Sequence, residues 1–147
     1  MNRPNSHGVT HLRSAYPYCI PITTRWMDND VYGHVNNVIY YAWMDTIVNQ
    51  WLIENKVLKS AQNPWVGLVA HSECNYFGPL AYPEAVVAGL KVVHVGNSSV
   101  HYEIGIFKGD QEQPSAQGKF VHVYVDPVSH RPSALTDAFK QTLEKLR

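Results

Sequence analysis

The stretch Val38-Ile-Tyr-Tyr-Ala-Trp-Met-Asp-Thr-Ile-Val-Asn-Gln-Trp-Leu-Ile-Glu54 decides how this sequence can fold. It contains neither glycine nor proline, and 12 of its 17 residues are apolar, which predicts a single helix of about five turns. Placed at roughly 100° per residue, the positions up to Met44 are apolar on every side, whereas later polar residues cluster on one side. Those polar residues are Asp45, Thr46, Asn49, Gln50 and Glu54. Such a helix begins buried and becomes amphipathic, so it needs a concave partner.

The remainder of the chain supplies strand-like segments that can form this partner. They lie at 18–27, 65–77, 84–95, 99–108 and 116–126. The last two alternate apolar and polar residues, as antiparallel strands with one buried face do. Ser133 is placed to cap a final helix over 134–147. We therefore predict an α+β fold in which a five-stranded antiparallel sheet wraps around a long central helix, with a short C-terminal helix.

Length, charge and cysteine content limit the class of protein. A chain of 147 residues suits one domain, with 1–15 as a flexible N-terminal arm and 16–147 as the domain. Twelve basic and twelve acidic residues cancel, which argues against partners such as nucleic acid or an anionic membrane. Cys19 and Cys74 match neither a metal site nor a disulfide framework. Without an apolar leader or a membrane-length apolar run, we expect a soluble, cytoplasmic protein with reduced cysteines.

Polar residues collect just before the predicted helix, in Arg25-Trp-Met-Asp-Asn-Asp-Val-Tyr-Gly-His-Val-Asn-Asn37. Asn36 or Asn37 stands where an N-cap belongs. A helix N-terminus also offers unpaired amides and a partial positive charge, which suit a carbonyl oxygen that gains negative charge during acyl transfer. Asp30 precedes those amides, and a carboxylate there is suited to activating water or to attacking an activated acyl carbon itself.

The same stretch does not match known patterns of metal ligands. An EF-hand loop requires Asp or Asn where Tyr32 stands and Glu where Ile39 stands, so calcium binding of that type is excluded. A metal bound by Asp28, Asp30 and His34 lacks a fourth ligand at recognisable spacing. The sequence also has no Gly-x-Ser-x-Gly elbow for a serine nucleophile. We predict neither a metal nor a cofactor.

The motif Arg25-x-x-Asp28-x-Asp30-x-x-Gly33-His34-Val35-Asn36-Asn37-x-x-Tyr40 resembles the signature of the hotdog-fold acyl-CoA thioesterases of the 4-hydroxybenzoyl-CoA thioesterase-like family. The segments 75–80 and 123–132 are similar to that family as well, so the resemblance covers about 18–140. It implies a hotdog fold. It further implies that the substrate is an acyl- or aryl-coenzyme A, hydrolysed at its thioester to coenzyme A and a free acid.

The same resemblance assigns roles near the helix start. Asp30 corresponds to the catalytic carboxylate, and the backbone amide of Asn37 corresponds to the donor that holds the thioester oxygen. His34 either shapes the turn or relays a proton. The remaining motif residues are expected to support the turn, Gly33 by adopting a positive φ. They are Arg25, Asp28, Gly33 and Asn36.

Substrate contacts and assembly are also implied by the resemblance. Candidates for the wall around the acyl group are Tyr40, Tyr41, Trp43 and Met44. Candidates for holding the phosphates of coenzyme A are Lys91, Lys119 and Arg131. The family usually forms a homodimer, sometimes a homotetramer, by joining sheets edge to edge, with the active site at the subunit interface. Two alternatives remain open: a hotdog protein that binds acyl thioesters without turnover, and a hotdog hydratase or dehydratase.

Overall fold

The apolar stretch ending at Glu54 folds as one helix, α1 (Asn37–Glu54), in the computed structural model, which describes residues 8–147. The sheet beside it has five strands, and a short helix follows near the C-terminus. The strands are β1 (Tyr18–Ile22), β2 (Val66–Tyr76), β3 (Val86–Val95), β4 (Ser99–Lys108) and β5 (Ala116–Val125), and the short helix is α2 (Asp137–Leu143). The strand order is β1-β3-β4-β5-β2, with every pair antiparallel. The predicted fold class is confirmed.

The core lies between α1 and the face of the sheet that alternate strand residues present to it. Met44, Ile47 and Val48 of α1 are fully buried within this cluster. A Cβ atom at Gly118 would lie 2.1 Å from the sulfur of Met44, so only glycine lets α1 approach β5 this closely. The helix is therefore fixed against the middle of the sheet, and its N-terminus takes a defined position.

Two predicted elements differ from the structure. The first strand ends at Ile22 instead of residue 27, because the Thr24 hydroxyl donates to the Glu84 carbonyl (2.9 Å) and Trp26–Asp28 forms a 3₁₀ turn. The final helix begins at Asp137, and its N-cap is Thr136, so the prediction of Ser133 as the cap was wrong.

The reason for the later start of α2 lies in backbone pairing before it. The Ser133 amide donates to the Tyr124 carbonyl and the Leu135 amide donates to the Asn97 carbonyl, each at 2.9 Å. These bonds keep the residues after β5 extended against the sheet. After α2, Glu144–Leu146 forms one 3₁₀ turn.

Part of the predicted N-terminal arm is attached to the outer face of the sheet, the face away from α1. Glu103 of β4 is 1% exposed and accepts hydrogen bonds from the Thr10 and Tyr16 hydroxyls, and it pairs with His11, each at 2.7 Å. Burial alone would raise the pKa of Glu103, but these hydrogen bonds outweigh it and hold that pKa below its ordinary value. Residues 1–7 of the predicted arm lie outside the described residues.

Two further findings concern the predictions made from composition. Cys19 and Cys74 are both free thiols. No helix within residues 8–147 is long and apolar enough to cross a membrane.

Candidate active site at the start of the central helix

The chain between β1 and α1 forms a narrow loop whose two sides are hydrogen-bonded to each other. The Asp30 amide donates to the His34 carbonyl (2.8 Å), and the Asn36 amide donates to the Asp28 carbonyl (2.9 Å). The Val35 amide donates to the carbonyl of Leu80, in the segment after β2, at 2.7 Å. The loop is thus fixed both internally and to the segment that follows β2.

Asp28 anchors the loop through Arg25. Its carboxylate is fully buried, and one oxygen accepts from the Arg25 guanidinium at 2.8 and 3.0 Å. The other oxygen accepts from the Arg25 backbone amide at 2.8 Å. Because Arg25 engages both oxygens, Asp28 supports the turn and offers little to a ligand.

Asp30 uses only one of its oxygens in the turn. Oδ1 accepts from the Tyr32 amide at 2.8 Å and more weakly from the His34 amide at 3.4 Å. Gly33 closes this turn with φ +80°, a backbone conformation that favours glycine. The second oxygen of Asp30 has no hydrogen-bond partner in the described part of the chain, so it is available to a reactant.

The first turn of α1 leaves one amide free. Asn36 is the N-cap: its side chain accepts from the Val38 amide at 3.2 Å, and its carbonyl accepts from the Ile39 amide at 2.9 Å. The amide of Asn37, which lies between Asn36 and Val38 in sequence, has no acceptor among residues 8–147. An unpaired amide at a helix N-terminus is a strong donor to an oxygen that carries negative charge.

Asp30 and Asn37 line the same cavity, of about 460 Å³. Its aromatic wall consists of Tyr40 from α1 and Tyr76 from the end of β2, whose rings meet edge to face at 5.1 Å between centroids. Burial raises the pKa of Tyr40 to about 12, so its hydroxyl keeps its proton at neutral pH. The cavity thus combines a carboxylate, a free amide and an apolar wall.

Three residues from the β2 side of the cavity have no predicted role. They are Tyr76, Gly78 and Pro79, for which the sequence predicts only that their segment, 75–80, is similar to the family. The local pattern, an aromatic strand end followed by Gly-Pro, indicates a turn after the strand, but it does not place that turn beside the start of α1.

His34 also lines this cavity, and its side chain is exposed. The imidazole makes no hydrogen bond to any residue that the structure describes, so the turn is shaped by the backbone of His34 instead. Residues 8–147 contain no group of three His, Cys, Asp or Glu side chains placed to hold a metal ion.

Of the proposed acyl-wall residues, only Tyr40 reaches the cavity within one protomer. Tyr41 stacks on Phe120, with ring centroids 6.4 Å apart. Trp43 is buried, and Met44 is fully buried against Gly118. These three side chains belong to the packing of α1 on the sheet.

The proposed phosphate-binding residues also lie away from the cavity of their own protomer. Lys91 alternates along β3 with the buried Leu90 and Val92, so it lies on the outer face. Lys119 on β5 and Lys91 on β3 both pair in register with Glu103 of that face.

Arg131 follows the far end of β5. Ala116, at the near end, pairs with the cavity residue Tyr76, and the nine steps from there to Val125 span about 30 Å. A single protomer therefore brings no lysine or arginine from residues 8–147 to the cavity.

Comparison with solved structures supports the fold. The PA5185 protein from Pseudomonas aeruginosa strain PAO1 is 47% identical over 93% of this chain and 96% of its own, with a TM-score of 0.86. A thioesterase from Thermus thermophilus, solved with coenzyme A and Zn, is 24% identical over 90% of this chain and 95% of its own, with a TM-score of 0.76. Slr0204, a 1,4-dihydroxy-2-naphthoyl-CoA thioesterase from Synechocystis, is 15% identical over 88% and 96%, with a TM-score of 0.77. The last two similarities show a shared fold, the predicted hotdog.

The family comparison is broader than the resemblance drawn from the motif. No curated protein sequence matches the chain significantly. The narrower placement with 4-hydroxybenzoyl-CoA thioesterases stays a prediction. A family model described as the Thioesterase-like superfamily matches residues 24–143, and the chain therefore belongs to that superfamily.

Proposed function

We propose that this protein hydrolyses the thioester of an acyl-coenzyme A, giving coenzyme A and a free acid. The observation that carries the proposal is the shared cavity of the Asp30 carboxylate and the unpaired Asn37 amide. Membership of the Thioesterase-like superfamily supports it, as does the coenzyme A bound to the similarly folded Thermus thermophilus thioesterase.

The chemistry follows from the two groups. The Asn37 amide donates to the thioester carbonyl oxygen, where the helix dipole favours the negative charge that develops as the carbonyl carbon is attacked. The free oxygen of Asp30 takes a proton from a water molecule, whose oxygen adds to that carbon. The carbon–sulfur bond then breaks, and the sulfur leaves with a proton as the coenzyme A thiol. His34 lines the same cavity, and its imidazole is suited to passing that proton.

A second route uses the same groups. The Asp30 carboxylate attacks the carbonyl carbon directly and displaces the thiolate, which gives a mixed anhydride. Water then cleaves the anhydride, restoring the carboxylate and releasing the acid. Both routes give the same products, and both require Asp30 and the amide at Asn37.

We infer further that the active unit is a homodimer joined through β2. This strand is 11 residues long, every residue except Cys74 is exposed, and it forms one edge of the sheet. The opposite edge, β1, has five residues and contains Pro21, which limits its pairing. A long exposed edge strand is a template for pairing with a second strand, and a two-fold axis is the common way to close such an interface.

This dimer gives Arg131 a role that a single protomer does not. Antiparallel pairing of β2 with its symmetry copy sets the Val66 end of one strand beside the Tyr76 end of the other. Val66 pairs with Val125 of β5, and Val125 bridges to Pro132. Each subunit thus presents its Arg131 turn toward the cavity of the other, where a guanidinium suits the phosphates of coenzyme A.

The test compares the same substitution at two aspartates. Asp137 is exposed in the first turn of α2, outside both the cavity and the turn that carries Arg131. Thiol release is measured with short-chain, long-chain and aryl acyl-coenzyme A. We expect Asp30→Asn to lower kcat/KM by at least about 100-fold on the best substrate, and Asp137→Asn to leave it nearly unchanged.

Two results count against this proposal. Full activity of Asp30→Asn would show that the Asp30 carboxylate takes no part in the reaction. Absence of turnover with every thioester, together with calorimetric binding of one of them, would instead identify a binding protein without catalysis.

A further inference from the structure

The most exposed apolar side chains of this protein are confined to two places. Within residues 8–147, the five most exposed large hydrophobic side chains have exposed fractions between 72% and 93%. Four of them lie in the loop between β1 and α1, and the fifth, Val128, lies in the turn after β5. The four loop residues are Trp26, Met27, Val31 and Tyr32. Single exposed apolar residues are common on protein surfaces, but a group of this kind indicates a surface that another molecule covers.

The β2 edge alone is too small for a stable dimer. A strand of 11 residues presents a strip about 37 Å long, and with a sheet thickness of about 10 Å its pairing buries on the order of 400 Å² on each subunit. Stable protein interfaces bury about 800 Å² on each partner. The proposed dimer therefore needs further contact surface beside β2, and an exposed apolar loop and turn are suited to provide it.

Two hydrogen bonds hold the loop beyond the Tyr76 end of β2. The Val35 amide donates to the Leu80 carbonyl at 2.7 Å, and the Asn29 side chain accepts from the Tyr82 amide at 2.9 Å. Both partners belong to the segment that leaves this end of the strand. The loop therefore lies beside that segment, past the end of the sheet.

The two-fold axis of the β2 dimer brings this loop close to the turn of the other subunit. Within one subunit the turn lies beyond the opposite end of β2, because Val125 pairs with Val66. Antiparallel pairing of β2 with its copy puts the Val66 end of the partner strand beside the Tyr76 end. Two strand spacings, about 10 Å in total, then separate β2 of one subunit from β5 of the partner, which is the distance that opposed side chains fill between packed sheets.

Val128 is fixed relative to Arg131 by the hydrogen bonds of its turn. The Asp126 carboxylate accepts from the Val128 amide at 2.9 Å and from the Ser129 amide at 2.8 Å. The Asp126 amide donates to the Arg131 carbonyl, and the His130 amide donates to the Asp126 carbonyl, each at 2.9 Å. A contact that holds Val128 in place therefore also holds the backbone of Arg131.

We propose that Val31 and Tyr32 of one subunit pack on Val128 of the partner subunit. This contact positions Arg131 of the partner subunit to bind the phosphates of coenzyme A. Val31 and Tyr32 directly follow Asp30 in the chain, so the contact lies beside the cavity that Asp30 lines. Tyr32 and Val128 are thus positioning residues, which act through Arg131. The inference rests on the proposed function and on the dimer joined through β2.

The affinity for coenzyme A tests the positioning role. It is measured by calorimetry on the full-length protein, and kcat of thiol release is measured beside it. We expect Tyr32→Ser and Val128→Ser each to raise the Kd of coenzyme A at least about fivefold and to leave kcat within about twofold. Tyr32→Phe keeps the ring and should keep the native Kd. Val93→Ser, at an exposed position on β3 with β4 and β5 between it and β2, is the matched control for Val128→Ser.

Oxidative crosslinking tests the contact itself and needs no catalysis. A chain that carries both Tyr32→Cys and Val128→Cys is oxidised, and covalent dimer is measured on a denaturing gel without reductant. We expect covalent dimer from this double variant. We expect none from either single variant, because the two-fold axis places the two copies of either residue at opposite ends of the interface. The single variants retain Cys19 and Cys74, so they also control for the native thiols.

The two measurements separate this proposal from hydrolysis. A dimeric double-cysteine variant without the crosslink would overturn the contact even if Asp30→Asn abolishes turnover, and a monomeric native protein would overturn it together with the proposed dimer. Native coenzyme A affinity in folded Tyr32→Ser and Val128→Ser would overturn it as well, as would effects that multiply when the two are combined. A crosslink with weakened coenzyme A binding, in a protein that hydrolyses no thioester, would support the contact and reject only hydrolysis. If one serine variant misfolds, the other and the crosslink still decide.

Discussion

Asp28 and Asp30 are separated by one residue, yet their carboxylates have different surroundings. Arg25 engages both oxygens of Asp28, whereas Asp30 leaves one oxygen free beside the cavity. The motif predicted a carboxylate near the helix start because both aspartates are close to it in sequence. Tyr76 could not be identified as a cavity residue in this way, because its position depends on the β2–β5 register, which no local pattern encodes.

Replacing Asp28 should therefore affect stability more than chemistry. Asp28→Asn keeps the volume but loses the ion pair, and because the Arg25 side chain is 58% exposed, solvent screens part of the effect. We expect the free energy of unfolding to fall by about 1–3 kcal/mol, measured by urea denaturation at an unchanged m-value. Folded Asp28→Asn should keep most of its thioesterase activity. A loss as complete as that of Asp30→Asn in well-folded protein would contradict this division between the two aspartates.

At the scale of single elements, residue patterns located helices and strands well and their ends less well. The long helix was predicted within one residue of Asn37 because its apolar residues are continuous and polar residues precede it. The start of α2 was misplaced because Ser133 and Thr136 are both suitable caps by residue type. The choice between them depends on tertiary hydrogen bonds: residues 133–135 pair with the sheet, and the Thr136 hydroxyl also donates to the Gln62 carbonyl.

The two candidate caps provide a direct comparison. The Thr136 side chain accepts from the Phe139 amide at 3.1 Å, whereas the Ser133 hydroxyl makes only a 3.5 Å contact with the Arg131 carbonyl. We expect Thr136→Ala to lower the free energy of unfolding by about 1 kcal/mol or somewhat more, and Ser133→Ala to change it by less than about 0.5 kcal/mol. Thermal and urea unfolding measure both variants, and equal effects would show that Thr136 is not the effective cap.

At the scale of the whole molecule, the sequence predicted five strands but not their order. The β3–β4–β5 pairs join neighbours in the chain, which is the usual outcome for short connections. The pairing of β2 with β5 joins segments separated by two other strands, and it places β2 at the edge. The exposed edge on which the proposed dimer rests is thus a property of the complete topology.

A charge on this edge should separate the subunits. Leu68 of β2 is 47% exposed, and in Leu68→Glu the two-fold axis would bring two like charges into one apolar interface. We expect light scattering at micromolar concentration to show two chains per particle for the native protein and one for Leu68→Glu. Ala138→Glu is the control, because Ala138 is exposed on α2, outside both the β2 edge and the turn that carries Arg131.

The activity of the separated subunits tests whether the second copy contributes to the site. If Arg131 of the partner subunit holds the phosphates of coenzyme A, Leu68→Glu should raise KM at least tenfold, and Arg131→Gln should raise KM in a protein that remains dimeric. Ala138→Glu should leave kcat and KM near their native values. Native KM in a monomeric Leu68→Glu would mean that one protomer binds coenzyme A unaided. No lysine or arginine of a single protomer lines the cavity in residues 8–147. That result would therefore also require either a basic side chain from outside the described residues or binding of coenzyme A without contacts to its phosphates.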